Sequence, residues 1–254
     1  MARDKIAEIA AVRGRSKGHR QSRALSECRS LEQGWGSGRG TLGSAPLFVV
    51  IRLVTVLEVF VRSWVAEIID SGDPYTSRAA DIIKGAVKID FALAQALVGK
   101  KLTFGELVSH EIAVNGLGDI DRVLQQLLAT SVWGQLKGVV DRWEVEIRGA
   151  APEPIIEDVD QVKAELASLF DVRHIAVHEL PDENQVSVAQ IDGYLEAASC
   201  FMRAIDQSFG TMLDGDYPLT QLEMNIEAGD KARIAQGALE DGHLHLPLAK
   251  RALR

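Results

Sequence analysis

Leu47-Phe48-Val49-Val50-Ile51-Arg52-Leu53-Val54-Thr55-Val56-Leu57-Glu58-Val59-Phe60-Val61-Arg62 is the stretch on which the fold turns. Its apolar residues are dense enough for a helix buried on most sides. Arg52, Glu58 and Arg62 interrupt it, so it falls short of the roughly 20 consecutive apolar residues that a membrane span needs. The reading is a long core helix over 47–70, stopped by Ser71-Gly72-Asp73-Pro74.

Composition agrees with a helical globular protein. Of 254 residues, 46% are hydrophobic, 25% charged and only 6% aromatic, with Ala, Leu, Val and Ile abundant. The chain is long enough for one large domain or two smaller ones. The two cysteines, Cys28 and Cys200, cannot make a disulfide framework or a thiolate metal site, so a reducing cytoplasm is the expected setting. No secretory signal is expected, because the first apolar run comes late. Charge is uneven: residues 1–45 carry nine Lys/Arg against four Asp/Glu, a local +5 in a chain of net -8, which leaves -13 elsewhere. An acidic body is no general polyanion binder, so any action on RNA has to come from a local site.

Outward from the core helix, residues 13–45 are rich in Gly, Ser and Arg, as in Gly34-Trp35-Gly36-Ser37-Gly38-Arg39-Gly40. They read as part of a disordered basic arm, residues 1–45. A second helix is expected over 76–98, with Ile82, Ile83, Val87, Leu93, Ala94 and Leu97 as core positions, ended by Gly99. Three capping boxes mark later helix starts: Thr103 with Glu106, Ser187 with Gln190, and Thr220 with Glu223. Further helices are expected over 119–130, 134–148 and 159–179. Trp133 and Trp143, ten residues apart, are expected on one helix as core residues, and Asn115-Gly116-Leu117-Gly118-Asp119 would turn between helices. No run of alternating strand residues appears, and the fold class is all-α: a helical domain over 46–213, then an appended amphipathic helix and tail over 214–254.

The 159–179 helix holds the most informative polar cluster. At 100° per residue, Val159, Val162, Leu169, Phe170, Val177 and Leu180 fall within about 60° of Leu166. Arg173 falls at about -20°, inside that apolar stripe, while His174 and His178 sit together on its flank at about 80° and 120°, beside Asp171. A guanidinium placed where Leu is expected needs a reason, because burying it unpaired costs several kcal/mol. Either a carboxylate waits in the core, or the stripe opens onto a cleft or a second subunit. Metal binding is a competing reading, since two imidazoles four residues apart can share an ion, with Glu179 or His110 as a third ligand. The adjacent arginine would repel a cation, and no metal or other cofactor is expected.

The segment Arg173-His174-Ile175-Ala176-Val177-His178, preceded by Leu169-Phe170, resembles the motif of the HEPN superfamily, an Arg followed by four to six residues and a His, near the end of a late helix in a helical bundle. The resemblance covers roughly residues 47–210. It implies a metal-independent endoribonuclease of the kind found among toxins and in antiphage and RNA-processing systems, with an antitoxin protein as a possible partner. It also implies a homodimer in which two such motifs face one cleft. On that resemblance His178 carries proton transfer, Arg173 holds the phosphate and His174 gives polar support. The alternative is a catalytically silent HEPN-like bundle serving as a dimerisation or partner-binding module.

Other motifs add little. There is no phosphate-binding Gly-rich loop and no Gly-x-Ser-x-Gly elbow, and His110-Glu111 lacks the second His of a metalloprotease helix. Thr220-Gln221-Leu222-Glu223-Met224-Asn225 resembles the opening of a small lysozyme-inhibitor-like helical domain over about twenty residues. That family's flanking cysteines are missing, and no inhibition is implied.

Overall fold

The computed structural model describes residues 5–14, 20–38, 45–83, 91–99, 101–146, 148–178 and 186–214. Those residues are predominantly helical, and their only β pairing is an isolated bridge between Val140 and Pro154. The organising element is α3 (Ala45–Asp70), the expected core helix. Val50, Leu53, Leu57, Phe60, Val65 and Ile68 on it are fully buried, each burial stabilising by about 1.5–3 kcal/mol. Its neighbours are α2 (Arg20–Gly38), α4 (Tyr75–Ile82), α6 (Phe104–Glu111), α7 (Leu117–Leu128), α10 (Val159–His178) and α11 (Val188–Asp214). No described helix is long and apolar enough to cross a membrane.

The N-terminal expectation is corrected. Residues 5–14 form α1 (Lys5–Gly14), and α2 runs through most of the stretch read as disordered. The physical reason is a narrow stripe that the Gly/Ser/Arg composition hides. Ala24, Leu25, Cys28 and Trp35 recur at helical spacing, are all buried, and join the main core against α3 and α11. Trp35 also donates its indole N–H to Asp192 at 2.9 Å.

Two other expectations change in detail. The 76–98 helix is replaced by α4 and α5 (Phe91–Val98), with residues 84–90, including Val87, outside the described set. The 134–148 helix is two short ones, α8 (Val132–Leu136) and α9 (Arg142–Glu146). Between them Gly138 adopts φ +81° and Ile155 N–H donates to Val139 C=O at 2.8 Å. Asp141 then restarts the helix, accepting from the N–H groups of Trp143 and Glu144. Trp133 and Trp143 are therefore on separate helices, although both are buried as expected. Asn115 and Gly116 do lie in the bend, but Leu117-Gly118-Asp119 already belong to α7.

Where capping chemistry was explicit, the starts match. The Thr103–Glu106 box is complete in both directions at α6. Ser187 Oγ accepts from Gln190 N–H at 3.2 Å, and Ser187 N–H donates to Gln190 Oε1 at 2.9 Å, at the start of α11. The Thr220–Glu223 box, the appended helix and the tail lie outside the described residues, as do Glu179 and Leu180.

Candidate functional site

Helix α10 delivers the polar cluster, and its N-terminus explains where it begins. Asp158 accepts from the backbone N–H of Asp160 at 2.9 Å and Gln161 at 3.0 Å, capping the first turn. Val162, Leu166, Leu169 and Phe170 are then buried against α3 and α11, and Ser168 bonds the Tyr194 hydroxyl at 2.8 Å. Past Phe170 the stripe runs out from the bundle. Val177, expected in the core, is 41% exposed, as is Ile175. The helix outlasts the surface it packs on, so its final turn carries an apolar stripe into the open.

Arg173 stands at that transition. It is half-buried, and its Nε is enclosed with no acceptor among the described residues. The nearby carboxylate is Glu58, one turn before Arg62 on α3, with Arg62 Nη1 3.7 Å from Glu58 Oε2. Burial pushes the Glu58 carboxyl above its ordinary range, while the positive charges of Arg62 and Arg173 pull it back. Glu58 is thus shared electrostatically between two arginines from different helices. In the sequence it figured only as a charge interrupting an apolar run. A carboxylate and an arginine four apart inside so apolar a helix was the available signal for a buried counter-charge.

His174 and His178 are exposed and come together, with ring centroids 4.7 Å apart and planes inclined by 46°. Histidine in the last turn is also well placed on a helix C-terminus, where a positive charge is favoured. Arg173 is not brought to the same face. Five residues of helix put it about 140° from His178, turned toward α3 while the histidines face outward. One copy therefore presents a histidine pair and a neighbouring guanidinium rather than a convergent triad.

Two metal-binding possibilities can be placed. Among the described residues no three His, Cys, Asp or Glu side chains gather as a metal site. His110 is engaged elsewhere, with Nε2 3.3 Å from Glu8 on α1. No protein-family model, curated protein or solved structure matches this chain.

Proposed function

We propose that the chain is a metal-independent endoribonuclease of HEPN type, cytoplasmic, with Arg173, His174 and His178 forming half of a composite site completed by a second copy. The observation that carries this reading is the exposed, adjacent His174–His178 pair at the C-terminal end of α10, next to an arginine whose Nε has no acceptor among the described residues. Imidazole both accepts and donates a proton at neutral pH. His178 would take the 2′-hydroxyl proton as that oxygen bonds to phosphorus. The bond from phosphorus to the 5′-oxygen then breaks, and the counterpart histidine of the other copy protonates the leaving oxygen. Products are a 2′,3′-cyclic phosphate and a 5′-hydroxyl. Arg173 would hold the non-bridging oxygens and stabilise charge in the transition state. The 140° divergence within one copy is why a homodimer is part of the proposal. An antiphage or toxin role, with an antitoxin protein as partner, fits such an activity.

Glu58 favours a second reading, a catalytically silent dimerisation or partner-binding module, because a carboxylate beside Arg173 gives the guanidinium a structural purpose. The separating experiment is cleavage of structured RNA by purified protein in EDTA. The ribonuclease reading expects cyclic-phosphate products, and loss of about 10²–10⁴-fold in rate for His178→Ala with an unchanged helical CD spectrum. Intact RNA leaves the module reading in its place, and cleavage unchanged in His178→Ala removes the site assignment.

A further inference from the structure

A groove of about 400 Å³ lies away from the α10 cluster, where α1, α2, α3 and α6 meet. Its size is within the range of small-molecule sites. One wall is apolar, made by Ile9, Val12 and Val59, and Val59 remains 42% exposed. The other side carries Arg20, Arg62 and His110.

Most polar groups in the groove are already engaged. Ser63 Oγ donates to Val59 C=O at 2.7 Å and Ser109 Oγ to Glu106 C=O at 3.0 Å. Glu106 accepts from Arg13 through both oxygens and from Thr103 N–H, and its carboxyl lies below the ordinary range: burial is the largest influence and raises it, but the Arg13 and Thr103 hydrogen bonds and the charges of Arg13 and Arg20 together outweigh it. His110 meets Glu8. Arg62 is the exception. Its Nη2 reaches Ile112 C=O only at 3.4 Å, its Nη1 is 3.7 Å from Glu58, and its Nε is enclosed with no acceptor among the described residues. Two guanidiniums thus face a groove whose one lining carboxylate among the described residues, Glu106, is hydrogen-bonded to Arg13, in a chain that is acidic as a whole.

The geometry points to a binding site for a small amphipathic anion, a carboxylate or phosphate head on a short apolar tail. The head accepts from Arg62 and Arg20, completing the hydrogen bonding that Arg62 lacks, and the tail lies on Ile9, Val12 and Val59. A charge-assisted hydrogen bond to a guanidinium that is already half-enclosed is less screened, and so stronger, than one in an exposed pair. The site does not depend on the ribonuclease reading, and its binding is measured without RNA.

Titration calorimetry of the full-length protein with hexanoate, hexyl phosphate, inorganic phosphate and hexanol is the test. Saturable binding of at least one tailed anion is expected, with the matched headless alcohol and tailless phosphate each at least about tenfold weaker. The two tailed anions decide whether carboxylate or phosphate is preferred. Arg62→Gln and Arg20→Gln should each weaken the tailed anion by about tenfold or more. Arg20 stands at the start of α2, away from the middle of the central helix that carries Arg62, so it keeps the test readable if Arg62→Gln misfolds. Val59→Asp, on the exposed wall, should abolish binding. No saturable heat with either tailed anion, or binding that ignores Arg20→Gln and Val59→Asp, overturns the site.

Discussion

At the scale of single residues, charges placed inside the bundle are unusually concentrated where α2, α3 and α11 meet. Asp206 on α11 is buried, and burial raises its carboxyl well above the ordinary range. Glu67 on α3 and Asp141 add to the rise, whereas Arg29 on α2 and the Trp64 indole oppose it. The neighbouring groups are spoken for: Gln21 Nε2 donates to Glu67, and Arg203 Nη2 to Asp141 Oδ2 at 2.9 Å. Because the folded state holds the Asp206 proton more tightly than the unfolded chain, folding takes up a proton above the unfolded carboxylate range. Stability contributed by Asp206 is then greatest in acid and falls as pH rises toward its folded pKa. Asp206→Asn keeps the shape and one hydrogen-bond donor while removing the titration. Urea denaturation should find the variant more stable than wild type at pH 7, with the difference shrinking toward pH 4. A variant equally destabilised at both pH values would show that Asp206 acts as an ionised partner of Arg29 instead.

At the scale of elements, helix contacts are decided by small residues as much as by apolar ones. A Cβ on Gly105 would stand 2.1 Å from Ala66 C=O oxygen and 2.8 Å from the Asp70 carboxyl carbon. Gly105 N–H donates to Asp70 Oδ1 at 2.8 Å, so α6 and α3 touch backbone to backbone here. Gly105→Ala should therefore lower stability by about 2–4 kcal/mol, well outside a helix-propensity gain of about 1 kcal/mol. A thermal midpoint equal to wild type would mean α6 does not sit this close. Thr103 announced the start of α6 because capping is local chemistry, and the run from Leu47 announced α3 because its burial is nearly all round. Gly105 gave no signal, since a close approach belongs to the pair of helices. The α8–α9 break was missed for a similar reason: Val140 and Pro154 pair across a loop, a non-local fact. For the polar cluster, the helical wheel placed Arg173 and the two histidines on the faces observed. It could not show that the stripe leaves the bundle after Phe170, nor that Glu58 approaches Arg173 from another helix.

At the scale of the whole molecule, residues 20–38 belong to the fold rather than hanging from it. A solvated arm would leave Cys28 accessible. Instead Cys28 is buried in the main core with Leu25 and Trp35, and burial pushes its thiol up to about 12, with Glu32 adding to the rise and Arg29 opposing it. Only the thiolate attacks an alkylating or disulfide reagent, so a native Cys28 is protected twice, by access and by protonation. Cys200 on α11 is half-buried, its thiol also raised by burial, and provides an internal comparison. In a Cys200→Ser background, labelling of Cys28 at pH 8 should be slower than in the urea-unfolded chain by at least about a thousandfold, because it waits on opening of the core. The dependence on urea says how much must open. A slope equal to that of global unfolding identifies α2 as integral to the bundle, and deletion of residues 1–44 should then yield an insoluble or molten chain. A shallow slope with fast labelling would identify α2 as a docked strap that detaches alone. The first outcome is expected, because losing α2 would uncover Trp35's partners on α11 and a flank of α3 together, an apolar area too large for a stable free surface.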